Sequence, residues 1–222
     1  MTRIAHIEND MSEKFGIPRQ SGLVEDVIST IVFEEEFRNP DAVKGLDGYT
    51  YIWLIWAFDR EEGDGWSPMV RPPRLGGNTR MGVFATRSPN RPNPIGLSCV
   101  KLIGIEMSNR GPLIRVAGAD LRSGTSILDI KPYLPYTDAH PDASGGFADD
   151  HLNDKLEVYI PGELCAGIPE DIIKAVGELL SQDPRPSYHD DPDRIYGMTY
   201  AGYNFRFSVK DSLLTVTEIE PR

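Results

Sequence analysis

Cysteine is scarce in this chain, and long hydrophobic runs are missing from it. Its 222 residues include two cysteines, Cys99 and Cys165, and neither lies in a CxxC pair or at metal-binding spacing from a histidine. A disulfide framework and a zinc site are therefore not indicated, and both cysteines are expected to be small buried residues. No stretch approaches the roughly 18 apolar residues that a membrane-spanning helix needs. The first residues also lack the basic start and apolar run of a signal peptide, so the sequence predicts a cytoplasmic protein without a membrane partner.

Two common nucleotide-binding motifs are also missing. The chain has no GxGxxG after a predicted strand and no GxxxxGK[ST]. A Rossmann-type dinucleotide site and a P-loop are therefore excluded. The four histidines show no paired ligand spacing, so no metal is expected; they are His6, His140, His151 and His189.

Acidic residues are absent from one stretch of an otherwise acidic chain. The formal net charge is −11, yet no Asp or Glu lies between Asp64 and Glu106. The positive charges of this stretch are Arg71, Arg74, Arg80, Arg87, Arg91 and Lys101. A basic island on an acidic protein can steer an anionic ligand locally, and the planar fork of arginine suits phosphate groups. Solvated loop charges without a ligand are the alternative.

Short strands separated by turns dominate the first two thirds of the sequence. Glycine and proline account for 21 and 18 residues, which predicts many turns and few long helices. A short helix is expected to have Asn39 as its N-cap, Pro40 at its first position and Gly45 as its stop. Strand patterns occur over residues 3–7, 26–33, 49–58, 97–105 and 113–117. The sequence therefore predicts a mainly β protein that begins with a β-barrel or curled sheet.

The last third of the chain has a different pattern. Residues 138–154 are polar, acidic and contain glycine, which is typical of a linker. Residues 170–181 place their apolar side chains on one helical face, whereas residues 203–209 alternate and residues 214–219 can return as a hairpin partner. We therefore expect a barrel domain over residues 1–142 and a small C-terminal α+β domain over residues 152–222.

Two segments carry residues suited to chemistry. Residues 71–98 are rich in proline and glycine, which predicts a rigid loop that carries arginines. Residues 118–138 bring Asp129, Lys131, Tyr133 and Tyr136 together in a proline-braced segment directly after a predicted strand. A carboxylate, an ammonium and two phenols at such a place can perform acid–base work. A surface ion pair between Asp129 and Lys131, with tyrosines that cap a core, is the alternative.

These segments resemble the motifs of the TrmO (YaeB/TsaA-like) family. The resemblance rests on FGIPRQSGLV at 15–24, RPPRLGGNTRMGVFATRSPNRPNPIGLS at 71–98, SGTSILDIKPYLPY at 123–136 and QDPRPSY at 182–188. It implies a tRNA methyltransferase that uses S-adenosylmethionine and methylates N6 of the threonylcarbamoyl-modified adenosine at position 37, next to the anticodon. It also implies an N-terminal β-barrel unrelated to Rossmann-like methyltransferases, a smaller C-terminal domain, and a homodimer that builds the cofactor site.

The resemblance also implies a set of cofactor-binding residues. They are Pro18, Arg19, Gln20, Asp59, Arg60, Arg87, Leu97, Asp120, Leu121 and Thr125. Among them, Arg19 and Arg87 suit the methionine carboxylate, because guanidinium groups bind carboxylates through paired hydrogen bonds. Asp120 or Asp59 would accept hydrogen bonds from ribose hydroxyls or adenine. Asp59 departs from the family pattern, in which many members have histidine.

The acceptor side of the site is a separate prediction. The N6 atom of the modified adenosine is a ureido nitrogen, so removal of its proton favours attack on the methyl group. Asp129 is the predicted proton acceptor, with Lys131 and Tyr133 as the residues that position it or the base. The residues expected to follow tRNA phosphates are Arg71, Arg74, Arg80 and Arg91. A non-catalytic S-adenosylmethionine-binding regulator and a methyltransferase with another acceptor remain the alternatives.

Overall fold

Most of the regular structure is β-strand in the residues that the computed structural model describes, 1–58, 66–76, 78–151, 154–185 and 191–222. The strands are β1 (Ala5–Glu8), β2 (Ile28–Phe33), β3 (Tyr51–Ala57), β4 (Met69–Val70), β5 (Met81–Gly82), β6 (Ile95–Ser108), β7 (Gly111–Ala117), β8 (Ser126–Pro132), β9 (Glu157–Tyr159), β10 (Tyr196–Tyr200), β11 (Tyr203–Lys210) and β12 (Leu213–Pro221). The α-helices are α1 (Pro135–Asp138) and α2 (Glu170–Ser181). Short 3-10 helices span Glu35–Phe37, Pro40–Val43, Leu46–Gly48, Pro73–Leu75, Val83–Ala85, Gly146–His151 and Gly162–Cys165.

Six strands of the described chain close into an antiparallel barrel in the order β1-β2-β7-β6-β3-β8. The central strand β3 alternates with a period of two, and its residues Ile52, Leu54 and Trp56 point into the barrel and are buried. This alternation fills the barrel with large side chains. The predicted N-terminal barrel is confirmed.

Strand β8 is a difference between the sequence-based expectation and the structure. The sequence pattern indicated no strand in this segment, but β8 pairs with both β1 and β3 and so closes the barrel. Asp129 and Lys131 lie on its outer face, and a register shift against Ile55 and Trp56 of β3 breaks the alternation by which a strand is recognised. The two cysteines also differ from expectation, because Cys99 and Cys165 are free but only partly buried.

The helix predicted after Asn39 is a 3-10 helix rather than an α-helix. It spans Pro40–Val43, and the side chain of Asn39 accepts a hydrogen bond from the backbone N–H of Asp41 at 3.0 Å. Asn39 and Pro40 therefore take the capping and first-turn positions that the sequence predicts. Gly45, in the left-handed region at φ 83°, follows this helix and precedes the next one.

The C-terminal part is a four-stranded sheet with one helix packed on it. The strand order is β10-β11-β12-β9, and α2 buries Val176, Leu179 and Leu180 against the sheet. The predicted small α+β unit is present, and its helix has the predicted bounds. The hairpin of β11 and β12 is also the one expected from alternation.

The connection between β1 and β2 packs into the C-terminal core and is also hydrogen-bonded to the barrel, where the Gly22 N–H donates to the Gly118 oxygen at 2.8 Å and the Cys99 N–H donates to Ser21 Oγ at 3.1 Å. We call residues 9–27 the β1–β2 segment. Its side chains Met11, Val24 and Val27 are buried in the same hydrophobic cluster as α2 and the C-terminal sheet. The domain boundaries at 142 and 152 stay a prediction, but the C-terminal core includes residues from the start of the chain.

Candidate functional site

A cavity of about 660 Å³ lies at the end of the barrel where β3 finishes and β6 begins. The β1–β2 segment covers one side of it, and the connection from β7 to β8 covers another. Its lining residues are Lys14, Ile17, Pro18, Arg19, Gln20, Trp56, Ala57, Phe58, Arg87, Arg91, Asn93, Ile95, Gly96, Leu97, Asp120, Leu121, Arg122 and Thr125. A volume of this size is typical of sites that enclose a cofactor-sized molecule, for which about 300–1,000 Å³ is usual.

The floor of the cavity contains a chain of three hydrogen-bonded side chains. The indole N–H of Trp56 donates to Ser98 Oγ at 2.9 Å, and Ser98 Oγ donates to Asp120 Oδ1 at 2.5 Å. Gly96 faces Trp56 across the two strands, and a Cβ on Gly96 would lie 2.1 Å from the indole ring. Glycine at this position therefore allows the indole to reach Ser98.

The Asp120 carboxyl has an unusual electrostatic environment. Burial at the cavity floor raises the pKa of Asp120 above its ordinary value. The hydrogen bond from Ser98, a backbone hydrogen bond from Ser21 and the positive charge of Arg87 act in the opposite direction. Burial is the larger effect, because a carboxylate loses hydration there that these donors only partly replace. A carboxyl with a raised pKa in a cavity is typical of a functional site.

Two arginines and a glutamine form one rim of the cavity. Arg87 Nη1 donates to Gln20 Oε1, and Gln20 Nε2 donates to the backbone oxygen of Arg19. Arg19 Nη2 donates in turn to the backbone oxygen of Asp183 at 3.0 Å. The guanidinium groups of Arg19 and Arg87 thus stand on the same side of the cavity, where they can bind an anionic group.

The loop between β5 and β6, which carries Arg87, also brings Arg91 to the cavity. Arg91 Nη1 donates to the backbone oxygens of Thr86 at 3.1 Å and Ser88 at 3.4 Å, so the loop itself holds this side chain. The Arg91 guanidinium lies 6.0 Å from the ring centroid of Phe84, whose side chain is 74% exposed. An exposed aromatic ring beside an arginine offers a surface for stacking.

Comparisons with known proteins agree with this architecture. A family model for the tRNA-methyltransferase O N-terminal domain matches residues 6–139, and one for the TrmO C-terminal domain matches residues 163–222. The chain belongs to the tRNA-methyltransferase O (TrmO) family. A tRNA (adenine(37)-N6)-methyltransferase of Escherichia coli is 37% identical, over 99% of this chain and 97% of that protein. One of the same name from Eikenella corrodens is 44% identical, over 77% and 97%.

Other relatives connect the TrmO fold with a cofactor. A protein of Pyrococcus abyssi, named a probable S-adenosyl-L-methionine-binding protein, is 33% identical over 69% of this chain and 78% of that protein. The crystal structure of TrmO from Pseudomonas aeruginosa matches with a TM-score of 0.79 and 30% identity, over 99% of this chain and 96% of that one. The fold is therefore that of the TrmO family, as the sequence motifs predicted.

The structure brings most of the predicted cofactor residues of this TrmO family member together. Those that line the cavity are Pro18, Arg19, Gln20, Arg87, Leu97, Asp120, Leu121 and Thr125. They come from three separate parts of the chain. The other two predicted residues, Asp59 and Arg60, lie outside the described residues. Their binding roles stay predictions.

The predicted catalytic trio lies elsewhere, on the outer wall of the barrel. Asp129 Oδ2 pairs with Lys131 Nζ at 2.9 Å, and their side chains are 45% and 61% exposed. Tyr133 packs its ring against Trp53 at 5.7 Å between centroids. Asp129 is paired with Ile55, and Ile55 with Leu97, so two strand spacings, or about 10 Å, separate Asp129 from Leu97 of the cavity lining. This geometry favours the surface ion pair that the sequence left as the alternative, and the catalytic role is a prediction still to be tested.

The four arginines predicted to bind tRNA are only partly gathered at the site. Arg91 lines the cavity, whereas Arg71 and Arg80 are exposed near the short ribbon of β4 and β5. Arg74 lies in the 3-10 helix Pro73–Leu75. Lys101, the other cation of the basic island, pairs with a glutamate, Glu25, at 3.4 Å. The island is thus divided between the cavity rim and the surface next to it.

Sequence reasoning missed several residues of the cavity. Trp56 and Ser98 were assigned only to strands, and Asn93 and Gly96 only to the proline-rich loop, yet Trp56, Asn93 and Gly96 line the cavity and Ser98 links Trp56 to Asp120. The pairing of β3 with β6 brings these residues together, and its register is not evident from the sequence alone. Within the described residues, no group of three or more His, Cys, Asp or Glu side chains could hold a metal ion, and no helix is long and apolar enough to span a membrane.

Proposed function

We propose that this TrmO family member is a tRNA methyltransferase that moves a methyl group from S-adenosylmethionine to N6 of the threonylcarbamoyl-modified adenosine at position 37. The observation that carries the proposal is the cavity, which has the Asp120 carboxyl at its floor and Arg19 and Arg87 at its rim. Residues from several of the family motifs line it. The names of the E. coli and Eikenella corrodens relatives support the reaction and the nucleoside.

The cavity suits S-adenosylmethionine in both size and chemistry. Arg19 and Arg87 would bind the methionine carboxylate, because two guanidinium groups stand on one rim. Asp120 would accept hydrogen bonds from the ribose hydroxyls or the adenine amino group, and the donors on its own carboxyl fix its orientation. Leu97 and Leu121 supply apolar contacts. When bound, the cofactor would supply a methyl group from its sulfonium, and the sulfur would keep the electron pair of the broken S–C bond as a neutral thioether.

The protein's contribution to the transfer is alignment and a proton acceptor. The acceptor nitrogen must lie in line with the methyl group and the sulfur, and most of the gain comes from holding the two molecules in that geometry. The N6 proton has to be taken up by a base. Asp129 is the predicted base, and Lys131 and Tyr133 are the residues predicted to position it. This role requires the acceptor nitrogen to reach the outer wall of the barrel beyond Leu97. Asp120 is the carboxylate inside the cavity.

The arginine-rich surface beside the cavity would hold the anticodon stem-loop. Arg71, Arg74, Arg80 and Arg91 are the predicted phosphate contacts, and such contacts make affinity fall with salt. Phe84 adds a surface on which an unpaired base can stack, because single-stranded RNA is bound largely by stacking on aromatic rings. A homodimer and a location in the cytoplasm, where tRNA is modified, are parts of the same proposal.

The decisive experiment is methyl transfer from labelled S-adenosylmethionine to tRNA that carries or lacks the threonylcarbamoyl group, read by nucleoside mass spectrometry. We expect label only on the modified adenosine. Equal label on unmodified adenosine would overturn the choice of nucleoside. Binding of the cofactor without transfer to tRNA would instead indicate a regulator or an enzyme with another acceptor.

A further inference from the structure

The C-terminal domain holds the part of the β1–β2 segment that forms the cavity wall. The segment supplies Ile17, Pro18, Arg19 and Gln20 to the cavity. Other side chains of the same segment are buried in the C-terminal core. Both ends of the segment are fixed in the C-terminal core by buried residues that flank this stretch, namely Met11, Val24 and Val27. The cavity wall therefore stands between the barrel and the C-terminal sheet.

Close contacts fix the middle of the segment directly before the cavity residues. The ring of Phe15 stacks with Tyr196 at 6.5 Å and with Phe207 at 6.4 Å between centroids. Gly16 has φ 91° and lies against Met198, whose Sδ would be 2.4 Å from a Cβ at position 16. Only glycine meets both conditions, because it tolerates a left-handed conformation and leaves room for the methionine.

A second contact comes from the turn after α2. The backbone oxygen of Asp183 accepts from Arg19 Nη2 at 3.0 Å. Asp183 itself has a left-handed φ of 48°, and Arg185 holds its carboxylate through Nε at 2.8 Å and Nη2 at 2.9 Å. The C-terminal domain thus contacts an arginine of the cavity rim as well as the backbone that leads to it.

We infer that the C-terminal domain positions the cofactor site: it holds the β1–β2 segment, through Phe15 and Gly16 and through the Asp183 carbonyl, so that Pro18, Arg19 and Gln20 face the cavity. The inference rests on the proposed function, in which this cavity binds S-adenosylmethionine. Met198, Phe207 and Asp183 are positioning residues in this account, because they touch the segment and not the cavity. The domain therefore sets cofactor affinity without contacting the cofactor.

The test is a matched pair of glycine substitutions in the full-length protein. Gly16→Ala introduces left-handed strain and a clash with Met198, whereas Gly202→Ala introduces similar strain at φ 78° in the β10–β11 turn with no atom within 4 Å of its Cβ. Affinity for S-adenosylhomocysteine is measured by calorimetry at a temperature at which thermal unfolding shows each variant to be folded. We expect Gly16→Ala to weaken binding about tenfold and Gly202→Ala to change it less than about twofold.

The double variant Gly16→Ala/Met198→Ala separates positioning from general loss of stability. Removal of the methionine side chain opens the space that the new methyl group needs, so we expect affinity to return to within about threefold of Met198→Ala alone. In turnover assays, Gly16→Ala should raise the KM for S-adenosylmethionine and leave kcat within about threefold of the wild type. Equal losses in both single glycine variants, or no rescue in the double variant, would overturn the inference.

Amide hydrogen exchange without ligand keeps this test independent of the proposed function. Gly16→Ala should speed exchange in residues 17–22 and leave β3 and β6 unchanged, because the loss of anchoring is local. Unchanged exchange in residues 17–22 would overturn the inference even if the cofactor binds. Faster exchange in a protein whose wild type binds neither S-adenosylmethionine nor S-adenosylhomocysteine would support the positioning contact and overturn the proposed cofactor.

Discussion

The cavity floor and the outer wall of the barrel each present an aspartate that the sequence singles out, in opposite surroundings. Asp120 accepts a hydrogen bond from Ser98 at 2.5 Å and is held at the bottom of a cavity. Asp129 pairs with Lys131 at 2.9 Å on a surface where its side chain is 45% exposed. Asp120 lies in the connection from β7 to β8 and Asp129 lies within β8, only nine positions later, yet water reaches only Asp129 freely.

This difference shows that the surroundings of a carboxylate, more than its neighbours in sequence, decide what it can do. Burial raises the pKa of Asp120, and its hydrogen bonds are strengthened because water is largely excluded. An exposed ion pair such as that of Asp129 is screened by water and contributes only about 0–1 kcal/mol. In the proposed function, the strong ligand contacts are therefore expected at the cavity floor.

The largest expected effect is that of Asp120→Asn on cofactor affinity. The asparagine keeps the shape and still accepts from Ser98, but it loses the charge that strengthens hydrogen bonds from ligand hydroxyl or amino groups. Loss of such bonds costs about 1.5–3 kcal/mol, so affinity for S-adenosylhomocysteine should fall roughly tenfold to a hundredfold. Calorimetry measures this, with Asp129→Asn as the matched control. Equal affinities in the two variants would remove the contrast between the two regions.

The second largest expected effect is that of Arg87→Ala on cofactor affinity. This substitution tests the arginines at the rim of the cavity. Arg87 contacts Gln20 and stands on the same side of the cavity as Arg19, so its loss leaves one guanidinium for the ligand carboxylate. We expect about a tenfold loss of affinity for S-adenosylhomocysteine, with a smaller loss in Arg87→Lys, which keeps the charge but not the fork. Lys101→Ala, in the same basic island but outside the cavity, is the control. Unchanged calorimetric affinity in Arg87→Ala would exclude the carboxylate role.

A smaller effect concerns stability and its dependence on pH. A carboxyl whose pKa is raised on folding contributes stability that is complete at low pH and is lost as pH rises through the raised pKa. Ionised Asp120 therefore destabilises the protein at neutral pH, and Asp120→Asn should raise the melting temperature by about 2 °C at pH 7. The gain should shrink as pH falls toward the ordinary range of aspartate. A variant that melts lower than the wild type at pH 7 would show that ionised Asp120 stabilises the fold.

The fold was largely predictable because its strongest signals are local in sequence. The amphipathic pattern gave α2 with its observed bounds, and alternation gave β3 and the β11–β12 hairpin. Strand β8 was missed, because a register shift against β3 interrupts its alternation of apolar and polar residues. Most local patterns thus agree with the final fold, as expected for a sequence whose local and tertiary preferences coincide.

The site was less predictable because its geometry depends on distant pairs. Family motifs pointed to Asp120, but its partner Ser98 and the indole of Trp56 come from the register of β3 with β6. The attachment of the β1–β2 segment to the C-terminal core joins residues more than 150 positions apart, as the stacking of Phe15 with Tyr196 shows. No window of sequence contains such contacts.

The smallest expected effect, that of Asp129→Asn, decides between the two carboxylates. The sequence alone predicts loss of turnover with intact cofactor binding, whereas the exposed pair with Lys131 predicts little change. From the geometry we expect kcat to stay within about threefold of the wild type, because breaking an exposed ion pair costs about 0–1 kcal/mol. Single-turnover methyl transfer measures this, with Lys131→Ala as the partner variant. A loss of about a hundredfold or more in Asp129→Asn alone would identify Asp129 as the proton acceptor and bring the acceptor base onto the outer wall. The cavity floor would then bind the cofactor, and the outer wall of the barrel would complete the reaction.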